Sequence, residues 1–338
     1  MKTLEELEAK LSEPSQALVA EMSALDGDIL VLGVAGKVGP SLAQMAKKAI
    51  AQAGVQKRVI GVSRFSDPGL QQELEAAGVE TITADLLNEA QLQALPDIKN
   101  VIYMAGQKFG TTGREYFSWV MNSYLPGRVA EKYKNSRIVS FSTGNVYPLT
   151  SLKSGGASEE VPPSPLGEYA QSCLGRERIF EYFSHKYQTP VVQFRLNYAI
   201  DLRYGVLHEV AKAVKGGSPI DLQMGHANVI WQGDVNDYAL RSLGICVSPP
   251  RILNVTGPET VSIRWLGERF GELFGVTPVF VNQEQDTALL NNSSLAHSLF
   301  GYPRVTLRQM IKWTAEWLEA GGQSLGKPTH FQERAGKF

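Results

Sequence analysis

Two side chains in this sequence have the chemistry to move the proton that accompanies a hydride. Thr143 ends the run Ser140-Phe141-Ser142-Thr143, and Tyr169 leads Tyr169-Ala170-Gln171-Ser172 at the start of a helical pattern. A hydroxyl and a phenol brought together across a cleft polarise a substrate alcohol and accept its proton as hydride leaves. Tyrosine by itself is a poor base, because its ordinary pKa is about 10, so an ordinary surface tyrosine is the competing reading. Asn145, in Gly144-Asn145-Val146-Tyr147, is a candidate for contact with the same substrate.

A second group suits a dinucleotide. The apolar run Ile29-Leu30-Val31-Leu32 ends in Gly33-Val34-Ala35-Gly36-Lys37-Val38-Gly39, and a helical pattern follows from Pro40 to about Ala53. Strand, glycine turn and helix bring bare main-chain amides of Gly33, Gly36, Lys37, Val38 and Gly39, and the positive end of the helix, to a pyrophosphate. A plain glycine-rich turn is the alternative for such a motif taken alone. Ser63 and Arg64 end the run Val59–Val62, where an acidic residue would bind both ribose hydroxyls. A small hydroxyl and a guanidinium instead suit a 2′-phosphate, which favours NADP slightly over NAD; otherwise Arg64 is a solvated loop charge. Asp85 can accept from an adenine amino group while Leu86 covers the ring, or Asp85 caps a helix at 88–94. Ala105 and Gly106 leave room for a ribose against the backbone.

The elements that must position these groups alternate. Apolar runs at Val59–Val62, Thr81–Thr83, Val101–Met104, Ile138–Phe141 and Val191–Phe194 predict strands, with helices around 40–53, 69–77, 114–134 and 167–187. Such alternation predicts an α/β fold, a doubly wound parallel sheet of Rossmann type, with a smaller C-terminal α/β substrate lobe. Residues 1–26 form a helical extension interrupted near Pro14. Residues 27–197 form the dinucleotide-binding domain, residues 198–320 the lobe (open to strands returning to the main sheet), and residues 321–338 a tail or subunit contact. Leu4, Leu7 and Leu11 share a helical face that packs on the body or on a neighbouring subunit.

Composition narrows the function classes. With 338 residues, 43% apolar and 20% charged, the chain has the balance of a soluble globular protein. A net charge of −1 gives no electrostatic ground for a nucleic-acid or membrane surface. Cys173 and Cys246 offer no disulfide framework, and neither they nor the five histidines have metal-ligand spacing. A cytoplasmic protein without a metal is expected.

Taken together these residues resemble the extended short-chain dehydrogenase/reductases, of the NAD-dependent epimerase/dehydratase kind. The similarity covers about residues 27–320. It rests on the glycine motif, Asp85-Leu86, Ala105-Gly106, Asn122, Ser142-Thr143 with Val146-Tyr147, Tyr169, and Leu253-Asn254-Val255-Thr256-Gly257-Pro258-Glu259. The resemblance implies that Tyr169 is the acid/base, Thr143 its hydroxyl partner, and Asn122 part of the active-site hydrogen-bond network. It also implies a homodimer formed by the helices near 114–134 and 167–187, with Trp119, Tyr124 and Phe183 to cover.

One position departs from the family pattern. Where Tyr-x-x-x-Lys places an ammonium beside the phenol and the nicotinamide ribose, this chain has Cys173, and a neutral thiol cannot stabilise a phenolate as an ammonium does. Lys108 is the leading substitute cation and Arg176 the second. Alternatively the nicotinamide's own charge suffices for slower chemistry, or the chain binds dinucleotide with turnover weakened or lost. On the substrate side, Asn197 stands at a shifted spacing from the family's asparagine. Arg195, Arg203, Tyr204 and His208 suit a carboxylate or polyhydroxyl ligand, each with a structural role as its alternative. Asp234 is expected to cap a helix. The expectation is an NAD(P)-dependent oxidoreductase or epimerase acting on a hydroxyl or keto carbon of a sugar or sugar-derived acid. The alternative is a dinucleotide-responsive regulatory protein.

Overall fold

The computed structural model describes residues 1–108 and 113–337. Seven strands build one sheet whose order across its width is Arg251–Val255, Val191–Leu196, Arg137–Thr143, Asn100–Tyr103, Ile29–Leu32, Val59–Ser63 and Glu80–Thr83. Every neighbouring pair is parallel. Ile29–Leu32 and Asn100–Tyr103 are buried at every position, as strands covered by helices on both faces must be. The chain order reverses between them, and the crevice outside the carboxyl ends of strands at such a reversal is where open α/β sheets bind ligands.

Helices α1 (Leu4–Leu11) and α2 (Gln16–Ala24) precede the sheet, and α3 (Gly39–Gln52), α4 (Pro68–Ala76) and α5 (Glu89–Ala94) follow its first strands. The segment expected as one helix over 114–134 is α6 (Glu115–Trp119), a π-helical turn (Val120–Tyr124) and α7 (Leu125–Lys132). Tyr169 rides on α8 (Gly167–Tyr187). Of the later helices, α9 (Val206–Lys215), α11 (Ile263–Phe274) and α13 (Leu307–Glu319) build the lobe's core, whereas α10 (Gln232–Arg241) and α12 (Ser294–Phe300) pack into the sheet's. Among the described residues no helix is long and apolar enough to cross a membrane.

The returning strand proves to be Arg251–Val255, which pairs with Val191–Leu196, so the sheet draws on chain beyond 197. The amino-terminal helices pack on the body: Leu18 and Met22 of α2 join the sheet's core, while Leu7 and Leu11 of α1 join the lobe's core with Val206, Val210, Phe270 and Met310. Each such leucine contributes about 1.5–3 kcal/mol of transfer free energy. A capping box of Thr3 and Glu6 starts α1. Residues 321–337 are also no loose tail, since Phe331 is buried in the lobe's core; residue 338 lies outside the described residues.

Candidate active site

The glycine turn has cavities on both sides. Gly33 takes φ +89°, and a Cβ there would stand 2.8 Å from the Ala105 nitrogen, so only glycine lets the turn lie this close to the neighbouring strand end. No side chain caps the amino end of α3, which leaves its first amides to an anion. On one side runs a groove of about 260 Å³ lined by Gly33, Gly36, Ser63, Arg64, Asp85, Leu86, Ala105 and Gly106, with Phe65, Met121 and Leu125. Asp85 accepts from the Leu87 amide at 3.0 Å, and Asn88 rather than Asp85 caps α5, so the capping alternative fails. A bare-amide turn with a half-apolar groove beside it and a second cavity beyond it fits an extended dinucleotide.

The second cavity, about 170 Å³, is lined by Lys37 and Val38 from the turn, Lys108, Ser142, Thr143, Asn145, Tyr169, Asn197, Tyr198, Tyr204 and Thr329. Tyr169 is hydrogen-bonded to Thr143 and to Cys173. Burial pushes the Tyr169 phenol well above its ordinary range, and the Cys173 thiol adds to that; the Arg176 guanidinium and the Thr143 bond act the other way. The Lys108 ammonium lies 5.5 Å from the centroid of the Tyr169 ring, and burial lowers its pKa to about 8. Lys37 lies 3.4 Å over the Tyr204 ring and is lowered to about 7, first by burial and then by the positive charge of Lys108 among others.

The remaining predicted residues stand behind these walls. Asn122, in the π-helical turn, accepts from the Gln107 amide (2.9 Å) and Arg176 Nη2 (2.8 Å), and donates to the Gln107 carbonyl (2.8 Å) and Ser172 Oγ (3.0 Å). It joins the loop carrying Lys108 to the helix carrying Tyr169. π-Helical turns often mark functional segments, and here the turn aims one amide at two elements. Cys173 is fully buried among Val146, Tyr147 and Ala157, its thiol pushed up by burial. Arg176 donates to the Phe141 carbonyl at 2.5 Å, and a Cβ on Gly106 would stand 2.6 Å from its Nη2. Both candidate cations are therefore near Tyr169, Lys108 in the cavity wall and Arg176 beneath the floor.

Several candidates are engaged elsewhere. Arg203 is held by Asp201 (2.7 Å) and Glu8 (2.6 Å). Arg195 pairs with Glu177 inside the protein. His208 bonds the Leu202 carbonyl (2.7 Å) and Ser324 Oγ (3.1 Å), and burial lowers its pKa. None of the three lines the cavity, because each lies within a structural network of its own. Gly39 packs against Val34, where a Cβ would stand 2.2 Å from the carbonyl oxygen, so it shapes the turn from behind. Asp234 caps no helix; it accepts from the Val305 amide at 3.1 Å and from Arg304. Sequence reasoning missed Tyr198 and Thr329. Thr329 has no motif around it and reaches the cavity only because the last segment folds back.

Residues 29–200 match the model of the NAD dependent epimerase/dehydratase family. No curated protein matches the sequence. Among solved structures, UDP-glucuronic acid 4-epimerase from Bacillus cereus, in complex with UDP-glucuronic acid and NAD, is 22% identical with a TM-score of 0.70; the match covers 86% of this chain and 99% of that one. UDP-glucose 4-epimerase from Thermotoga maritima, with UDP-glucose, is 17% identical with a TM-score of 0.71, over 87% of this chain and 99% of that one. The Thermus thermophilus UDP-glucose 4-epimerase, in complex with NAD, is 18% identical with a TM-score of 0.70, over 86% and 99%. At these identities the likeness is one of fold.

Proposed function

The chain belongs to the NAD-dependent epimerase/dehydratase family, and we propose that it is an NAD(P)-dependent oxidoreductase or epimerase acting on a hydroxyl or keto carbon of a sugar or sugar-derived acid. The observation that carries this reading is the hydrogen bond between Thr143 and Tyr169 in a cavity that Lys37 and Val38 of the glycine turn also line. A bound nicotinamide supplies a hydride acceptor and donor. Thr143 holds the substrate oxygen, and Tyr169 takes the hydroxyl proton or returns it to the keto oxygen. Because burial keeps the free phenol protonated, Tyr169 enters the cycle as an acid and needs a nearby cation to act as a base. Arg176 is the cation that favours its phenolate, and Lys108 is the one that shares its cavity. Ser63 and Arg64 in the groove wall support a slight preference for NADP over NAD.

The exposed rings of Tyr116, Trp119, Tyr124 and Tyr182 on α6–α8 support a homodimer through those helices. A second reading, a binding or regulatory protein with weakened turnover, draws on Cys173, a thiol where an ammonium would favour the phenolate.

The test adds sugars and sugar acids to protein with NAD or NADP, following reduced-nicotinamide absorbance and the epimer composition. Tyr169→Phe is expected to lose about 10²–10⁴ of any turnover while coenzyme binding, read by calorimetry, persists. Coenzyme binding without turnover, with activity created by Cys173→Lys, favours the regulatory reading. Absence of binding by either coenzyme refutes both.

A further inference from the structure

The segment after α13 runs across the lobe and ends at the catalytic helix. The Leu325 amide donates to the Arg203 carbonyl at 3.0 Å. Thr329 donates through its amide and its hydroxyl (2.9 Å) to the two oxygens of Glu209. The Phe331 carbonyl accepts from the Tyr198 phenol at 3.4 Å. Arg334 donates to the Thr287 carbonyl (2.8 Å) and hydroxyl (2.7 Å), and to the Gln223 carbonyl (3.0 Å). Finally Gly336 lies against Leu166 and Gly167, two residues before Tyr169; a Cβ on Gly167 would stand 2.0 Å from the Gly336 oxygen. Phe331 anchors the whole strap in the lobe's core.

This strap closes one side of the cavity that holds Tyr169. Thr329 is itself part of the wall, and Tyr198, also in the wall, is bonded to the strap. A substrate tail leaving the cavity on that side has to displace the strap. Among the described residues the cavity's lining includes Lys37 and Lys108 and no acidic side chain. Among the described residues Lys37 forms no ion pair: its Nζ meets the Ala199 carbonyl at 3.5 Å and the face of Tyr204. Asp201, the strongest source of negative field on Lys37 among the described residues, is already held by Arg203. Two ammonium groups that repel each other in one small cavity are stabilised by an anion bound between them.

We propose that the substrate is a small free sugar acid carrying no nucleotide, whose carboxylate is received by Lys37 and Lys108 in the cavity that the strap completes. The inference rests on the proposed function and narrows its substrate to one class. Lys37 contributes a charge-assisted hydrogen bond to the acid. Among the described residues, Asp201, Arg203 and Glu209 act on Lys37, and Glu209 and Cys173 on Lys108, and none of these lines the cavity.

The test is calorimetry on the full chain saturated with NAD or NADP, titrated with D-glucuronate, D-galacturonate, D-gluconate, UDP and UDP-glucuronate. At least one free acid is expected to bind with proton uptake at pH 8, and to bind more weakly as pH rises, because the acid favours the charged lysines. UDP and UDP-glucuronate are expected to give no heat. Lys37→Met is expected to weaken the acid by about tenfold or more, the scale of one charge-assisted bond, and Lys37→Arg to restore most of it. Should Lys37→Met fail to fold, proton uptake and the pH profile of the unaltered protein carry the same decision. Binding of either uridine ligand, absence of binding by all three acids, or binding without proton uptake overturns the inference. Absence of coenzyme binding instead overturns the proposed function on which it rests.

Discussion

Glu177→Gln tests the buried scaffold beneath the strand that carries Ser142 and Thr143. Glu177 accepts from Ser142 Oγ (2.5 Å) and Arg195 Nε (2.9 Å) through Oε1, and from Arg195 Nη2 (2.6 Å) through Oε2. Arg195 Nη1 continues to the Tyr147 phenol at 2.5 Å, which donates to Asn254 Oδ1 at 2.9 Å. The paired side chains are 1% and 4% exposed. Glutamine keeps the volume but strands the guanidinium charge inside the protein, and breaking such a pair costs about 3–5 kcal/mol. Against a total of roughly 5–15 kcal/mol for an ordinary protein, that is a large fraction. Glu177→Leu with Arg195→Met removes both charges, an exchange that is often neutral or stabilising by about 1–4 kcal/mol. It leaves Ser142 and Tyr147 each short of a partner, at about 1–3 kcal/mol apiece. The double variant is therefore expected to be more stable than Glu177→Gln. Urea unfolding of wild type, each single change and the pair gives the coupling energy. A Glu177→Gln cost under about 1 kcal/mol, or a double variant as unstable as the sum of its parts, refutes the reasoning.

Lys37 gives a pH signature. Its pKa is about 7 in the fold against about 10.4 in an unfolded chain, so between those values the unfolded state binds more protons and stability rises with pH. Lys37→Met is expected to raise the unfolding midpoint most below pH 7, with the gain fading towards about pH 10; a gain independent of pH, in paired melts, contradicts the burial argument. For the assembly, Trp119→Glu with Tyr182→Glu is expected to convert a dimer to a 37.0 kDa species in light scattering, and a wild type already of that mass removes the dimer reading.

The sheet was legible because buried parallel strands read as short apolar runs bounded by turn residues, as at Val31 and Val139. The glycine turn was legible because few residue types tolerate its geometry at Gly33. Arg251–Val255 carries no sign of its partner: its pairing with Val191–Leu196 spans a whole lobe, and periodicity reports a face but not a neighbour. The same limit hid Thr329, whose place in the cavity depends on contacts with Glu209 and Phe331's burial. Arg203 and His208 looked like ligand residues because a polar side chain has the same composition in a pocket and in a buried network. Only the positions of Asp201, Glu8 and Ser324 separate the two.

The amino-terminal helices divide their allegiance: α1 belongs to the lobe's core and α2 to the sheet's. Between them lies only Ser12–Ser15, a length that spans on the order of 15 Å at full stretch. That short link is stitched to the sheet's helices, by Lys48 of α3 on Ser12 (2.6 Å) and by Asn236 and Asp237 of α10 on the Leu11 carbonyl (2.9 Å) and the Ser15 amide (2.9 Å). It ties the end of the lobe's α1 to the sheet's helices α3 and α10. Moving the lobe away from the sheet would pull α1 against these bonds, so the link opposes separation of the two cores.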